Sequence, residues 1–211
     1  MPNQVKAIIF DVDGVLVDSK ESNAAFFQTL LKRAGYTDIS HEEVSASFHL
    51  PMWQAIEKLT RSNDQSEIQR IWKMGHDADL RANGLLKFPD QLEDVLEKLH
   101  EKYRLAIVTS RIKIGVDELF NIRKMGHLFD VVVTFEDYKN PKPHPEPLEK
   151  ALNKLRVKSN EAIYIGDSAT DVEAAKAANV KCIFISRENH PDATATVREF
   201  NQLIVALESI A

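Results

Sequence analysis

Val5-Lys6-Ala7-Ile8-Ile9-Phe10-Asp11-Val12-Asp13-Gly14 is an apolar run that ends abruptly in two aspartates and a glycine. Such a run marks a buried parallel strand. Open α/β sheets bind their ligands just beyond the carboxyl ends of their strands, where Asp11 and Asp13 would stand and Gly14 would release the backbone. Asp and Gly also favour turns for plain backbone reasons, so this segment alone fits a turn as well as a site. Three later strand ends separate the two readings.

From Pro89 onward strand and helix patterns alternate, the signature of a doubly wound parallel sheet. Strands are expected at 105–108, ending in Thr109-Ser110-Arg111; at 131–135, leading into a polar loop with Lys142; at 162–165, ending in Gly166-Asp167; and at 182–185. Between them run helical stripes. Leu92, Val95, Leu96 and Leu99 follow an Asp90 cap; Val116, Leu119 and Phe120 stop near Gly126; Leu148, Ala151, Leu152 and Leu155 follow two prolines. Val172, Ala174, Ala175 and Ala178 lead to Asn179, which suits a left-handed turn, and a last helix is expected near 201–210.

Residues 15–83 contain no convincing strand. A stripe of Phe26, Phe27, Leu30, Leu31 and Ala34 ends at Gly35, Ser40 and Glu43 have capping-box spacing, and helical segments are expected at 53–59 and 66–83. The expected organisation is an α/β core with a Rossmann-like doubly wound sheet, residues 1–14 and 84–211. A small α-helical cap, residues 15–83, is inserted after the first strand.

With 211 residues, 44% hydrophobic and 28% charged, the chain can bury a core and carry an insertion, which excludes a disordered chain. A net charge of -5 offers no general attraction to nucleic-acid phosphates. No apolar segment approaches membrane-spanning length, and Met1-Pro2-Asn3-Gln4 lacks the basic and apolar regions of a signal peptide. The expectation is a cytoplasmic protein with neither nucleic acid nor membrane as partner. Cys182 is the only cysteine and lies in a strand pattern, so it reads as a buried structural thiol.

Right-handed crossovers bring the strand ends of a parallel sheet to one edge. Asp11 and Asp13, Thr109, Lys142, and Asp167 with Asp171 all fall at or beyond such ends. Carboxylates clustered in one crevice raise one another's pKa unless a cation compensates. Oxygen ligands without a Cys or His set favour Mg²⁺. Lys142 adds an ammonium that can offset carboxylate charge and hold a phosphoryl oxygen, and Thr109 adds a hydroxyl donor.

Asp11-Val12-Asp13-Gly14, the strand ending Ala106-Ile107-Val108-Thr109, Lys142-Pro143-His144-Pro145-Glu146-Pro147 and Gly166-Asp167-Ser168-Ala169-Thr170-Asp171 resemble, in order, the four motifs of the haloacid dehalogenase-like hydrolases. The resemblance spans nearly the whole chain. The insertion resembles the small cap of the branch containing phosphoglycolate phosphatase and β-phosphoglucomutase. The resemblance implies that Asp11 is a nucleophile forming an aspartyl-phosphate and Asp13 a general acid, then base. It also implies Mg²⁺ held by Asp11, the main-chain carbonyl of Asp13 and Asp167, with Asp171 orienting the metal site or Lys142. Thr109, Ser110 and Lys142 would bind the phosphoryl group. Family dehalogenases need no proton donor at position 13, so Asp13 favours phosphoryl chemistry.

The expected function is Mg²⁺-dependent hydrolysis of a small phosphorylated metabolite by a monomer or weak homodimer. The alternatives are a β-phosphoglucomutase-like sugar phosphomutase and a non-catalytic phosphate-binding module on the same fold. Asn23 and residues 48–52 stand where such mutases often carry a histidine and an arginine. His49 and Arg111 are candidate substrate contacts, and Arg111 also fits a solvated helix start. Hydrolysis of phosphate monoesters can demand acceleration of about 10²¹, roughly 29 kcal/mol, so a composite site is required.

Overall fold

The computed structural model describes residues 4–47, 50–77, 80 and 82–210. Its backbone groups into two compact units, Met1–Val17 with Phe88–Ala211, and Asp18–Lys87. Residues 15–17 stay with the first unit, where Gly14 N donates to Val17 O at 2.8 Å and Leu16 N to Val12 O at 2.9 Å.

The first unit is built on β1 (Ala7–Phe10), β2 (Arg104–Val108), β3 (Val131–Val133), β4 (Ala162–Gly166), β5 (Lys181–Ile185) and β6 (Ala195–Val197). They form one parallel sheet in the order β3-β2-β1-β4-β5-β6. Every residue of β1 is fully buried, as its unbroken apolar run requires of a strand covered on both faces. Phe10 pairs with Ile107 on one side and Ile165 on the other, so Asp11, Val108 and Gly166 end their strands at one level. Strand order reverses between β1 and β4. This is the switch point at which open α/β sheets form a ligand crevice.

Helices α5 (Leu92–His100), α6 (Lys113–Arg123), α7 (Glu146–Leu155), α8 (Ala169–Ala177) and α9 (Leu203–Ile210) accompany the sheet. Their buried stripes are those expected, including Leu92, Val95, Leu96 and Leu99 on α5, except that Phe120 of α6 is only half-buried. The boundaries differ. The left-handed Gln91 (φ 59°) precedes α5 and no side chain caps it, so the expected Asp90 cap is not made. Helix α6 stops at Arg123 because Lys124 turns left-handed, and Gly126 instead opens a short 3₁₀ turn. Strand β3 ends at Val133, since Thr134 N donates to Asp137 Oδ2 at 2.8 Å and starts a turn. β6 was not foreseen: three residues on the sheet's edge carry too little pattern to stand out. Asn179 is left-handed, as expected (φ 55°).

The second unit holds α1 (Lys20–Arg33), α2 (His41–Ser45), α3 (Met52–Thr60) and α4 (Gln65–Met74). Leu30, Leu31, Ile56 and Ile71 form its fully buried centre. Ser40 and Glu43 close the capping box at the start of α2. Helix α4 ends at Met74 rather than near Asn83, with Gly75 as its cap, and Asn83–Leu85 forms a separate 3₁₀ turn. Asp18 and Lys87 exchange backbone hydrogen bonds of 2.8 and 3.0 Å, tying the ends of the insertion together.

No helix among the described residues is long and apolar enough to cross a membrane. Cys182 is buried, and burial pushes its thiol up to about 12, which suits an inert core residue.

At the head of α7, the Glu146 carboxylate accepts from Lys139 N (3.1 Å), Asn140 N (2.9 Å) and Asn140 Nδ2 (2.9 Å), closing the loop that carries Lys142. The backbone N–H groups of Lys139 and Asn140 hold the Glu146 carboxyl down to about 2, against an ordinary 4.5. Because the folded value is the lower one, this anchor is complete above about pH 4.5 and is lost as pH falls through about 2. At pH 4, where an unperturbed glutamate is mostly protonated, the Glu146 carboxyl carbon should still show the NMR shift of a carboxylate. In Glu146→Gln, amide exchange at Lys139 and Asn140 should accelerate. Half-protonation of Glu146 near 4.5 would contradict the anchoring.

Candidate active site

β1 delivers Asp11 to the crevice, with its N–H still bonded to Ile165 O at 2.9 Å. The long polar loop after β3 delivers Lys142, whose side chain is only 5% exposed. Its Nζ lies 3.1 Å from Asp11 Oδ2 and 2.6 Å from Asp171 Oδ1. Nζ also donates to Tyr164 Oη at 3.0 Å, and that hydroxyl donates to Asp171 Oδ1 at 2.8 Å. Asp171 belongs to the first turn of α8, and its other oxygen accepts from Asp167 N (3.2 Å), Ser168 N (3.1 Å) and Ser168 Oγ (2.6 Å). Both oxygens of Asp171 are thus taken up in holding Lys142 and the loop after β4.

Asp167 follows β4 directly. A Cβ on Gly14 would stand 1.8 Å from Asp167 Oδ2, and Gly14 has φ +77°, so only glycine lets the first loop pass this carboxylate. Gly166 is equally constrained, because its Cβ would fall 2.3 Å from that of Asp171. Asp11, Asp167 and Asp171 each bring one carboxylate oxygen within 4.8 Å of the others. With Asp171 engaged, Asp11 and Asp167 are the hard oxygen donors suited to a divalent cation.

The charges within this cluster are unequal. Burial pushes the Asp11 carboxyl well up; Lys142 pulls it down, while Asp171, Asp167 and Asp13 push it further up. Burial would lower Lys142, but Asp11 and Asp171 more than offset it and hold the ammonium charged. Burial would raise Asp171, but Lys142 and the surrounding donors bring it below the ordinary carboxylate value. Asp11 therefore carries the cluster's repulsion, which a cation beside it would relieve.

Thr109 follows β2 and is fully buried. Its Oγ1 accepts from Arg111 N at 3.1 Å, and its carbonyl accepts from Tyr138 Oη at 3.2 Å. Ser110 is exposed. Arg111 grips Asp13 with two bonds, Nε to Oδ2 at 2.8 Å and Nη2 to Oδ1 at 2.6 Å. It is therefore an ion-pair partner rather than a solvated helix start. His49 lies outside the described residues. Sequence reasoning did not single out Tyr164 or Ser168. A tyrosine in a buried strand was the available signal, since its hydroxyl must find a partner, and Ser168 with Asp171 has the spacing of a helix cap.

A family model described as haloacid dehalogenase-like hydrolase matches residues 8–185. The chain belongs to this family. Pyrophosphatase PpaX of Anoxybacillus flavithermus is 31% identical over 180 residues, covering 84% of this chain and 81% of that protein. Among solved structures, a Lactobacillus plantarum protein assigned as a phosphoglycolate phosphatase superposes with TM-score 0.83 at 23% identity, covering 96% of this chain and 99% of its own. β-Phosphoglucomutase from Clostridium difficile does so with TM-score 0.82 at 20% identity, covering 98% and 96%. At these identities the two structures share the fold. This haloacid dehalogenase-like hydrolase is an enzyme of the phosphatase type, which sets aside a non-catalytic module.

Replacing Asp171 by Ala would leave the Lys142 ammonium, the Tyr164 hydroxyl and the Ser168 N–H without their shared acceptor. Breaking a buried ion pair in this way costs about 3–5 kcal/mol, read as a lowered midpoint in urea unfolding. A loss under about 1 kcal/mol would contradict the central place given to this carboxylate.

Proposed function

We propose that the enzyme hydrolyses a small phosphorylated metabolite with Mg²⁺, through an aspartyl-phosphate on Asp11. The observation that carries this reading is the Lys142 ammonium 3.1 Å from Asp11 Oδ2, a buried positive charge beside the carboxylate at the switch point. It can hold a phosphoryl oxygen against that carboxylate. Asp11, Asp167 and the main-chain carbonyl of Asp13 would hold the cation. Bound there, it would favour the ionised form of Asp11 and draw charge from the phosphoryl oxygens.

In the first half-reaction an Asp11 oxygen bonds to phosphorus as the bridging P–O bond breaks. The bond's electron pair goes to the leaving oxygen, which takes a proton from Asp13. In the second, water gives a proton to Asp13 while its oxygen bonds to phosphorus, and the bond from phosphorus to Asp11 breaks. Inorganic phosphate leaves and both aspartates return to their starting states. The Thr109 hydroxyl and Ser110 join Lys142 on the non-bridging oxygens. One such preorganised donor supplies about 3–4 kcal/mol, so the groups must act together.

The test is phosphate release from inorganic pyrophosphate, phosphoglycolate, sugar phosphates and nucleotides, with Mg²⁺ or with a chelator. Relatives named pyrophosphatase PpaX put pyrophosphate first in that panel. Release should vanish with chelation and fall by more than about 10³-fold in Asp11→Asn. A variant close to wild type would refute the mechanism. Isomerised sugar phosphate with little free phosphate would identify a mutase instead.

A further inference from the structure

The Asp13–Arg111 pair poses a problem for the mechanism above. Both Asp13 oxygens point into one guanidinium, at 2.6 and 2.8 Å, yet Asp13 is the group that must reach the leaving oxygen. Arg111 is held for this contact. It follows directly from β2 through Thr109, its own N–H is bonded to Thr109 Oγ1, and its side chain is only 17% exposed. The guanidinium lies within electrostatic reach of Asp11 as well as Asp13. Its third nitrogen, Nη1, makes no hydrogen bond among the described residues. A fixed, charged fork with spare donors beside the proposed nucleophile matches a second oxyanion as well as it matches Asp13.

We propose that Arg111 selects substrates whose leaving group is itself an oxyanion, a phosphoryl group above all, by exchanging Asp13 for that group. This inference rests on the reading of Asp11 as the phosphoryl acceptor. A diphosphate places its second phosphoryl group on the far side of the bridging oxygen, where the leaving group departs. Arg111 closes its fork on that group, and Asp13, freed from the guanidinium, takes a proton from solvent and turns toward the bridging oxygen to donate it. One charge-assisted, two-pronged contact replaces another, so the release carries little penalty. A monoester of a neutral alcohol has nothing to give Arg111 in return, and its reaction must open the Asp13 pair without compensation. Arg111 thus acts as a specificity residue that contacts the leaving group and positions Asp13.

Binding and turnover test this separately. In Asp11→Asn protein with Mg²⁺, titration calorimetry compares imidodiphosphate, a non-hydrolysable diphosphate, with orthophosphate, with and without Arg111→Gln. The substitution should weaken imidodiphosphate at least tenfold more than orthophosphate, and Arg111→Lys should restore part of the loss. In otherwise wild-type enzyme, the ratio of kcat/KM for pyrophosphate to that for phenyl phosphate should fall at least 30-fold in Arg111→Gln, with most of the pyrophosphate loss in KM. Equal weakening of both ligands, or a kinetic ratio kept within threefold, would overturn the proposal and leave Arg111 a structural partner of Asp13. Failure of the mechanism itself has another signature, turnover that survives Asp11→Asn, and the binding comparison still decides the role of Arg111.

Discussion

Burial of the Lys142 ammonium is the constraint on which the site depends. An ammonium so nearly sealed from water needs opposite charge and hydrogen-bond acceptors at contact distance. Asp171 at 2.6 Å and Asp11 at 3.1 Å supply the charge, and the Tyr164 hydroxyl takes a further N–H. The two carboxylates meet different fates. Asp171 is saturated with donors and stays ionised, whereas Asp11 is buried with fewer of them and takes the repulsion of its acidic neighbours. One lysine thereby sorts like residues into a fixed counter-charge and a group whose ionisation depends on what binds beside it.

The surrounding backbone serves that arrangement. Glu146 ties down the loop that brings Lys142 inward, and Ser168 caps α8 through the same Asp171 that pairs with Lys142. Gly14 and Gly166 let two loops approach closer than any Cβ would allow. Residues more than 150 positions apart in the chain meet because β1 and β4 are neighbours at the point where strand order reverses. Asp13 and Arg111 meet across β1 and β2 by the same logic, which sets a second ion pair beside the first.

Most of this was legible in the sequence where a single physical cause dominates. The unbroken apolar runs ending in Asp11, Thr109 and Asp167 announced buried parallel strands, and topology then required their ends to share an edge. Where several weak causes compete, the reading slipped. The apolar pattern of α4 runs on past Gly75, where the helix stops; the left-handed Gln91 takes the N-cap position in place of Asp90; and the three-residue β6 gives no periodic signal. Tyr164 was absorbed into its strand because a tyrosine there looks apolar until its hydroxyl's partners are known. Arg111 was expected to face a ligand or solvent. Its bidentate hold on Asp13 is a long-range pairing that spacing along the chain does not reveal.

We propose that Asp11, placed beside the Lys142 ammonium and dependent on a cation bound next to it for its charge, accepts the phosphoryl group. The most direct measurement is a single-turnover reaction with substrate labelled in the transferred phosphoryl group, quenched in acid within milliseconds and followed by peptide mapping. The account predicts transient label on the peptide containing Asp11, with the alkali lability of an acyl phosphate. Full formation of labelled inorganic phosphate with no labelled protein at any time, or label on another residue, would contradict it.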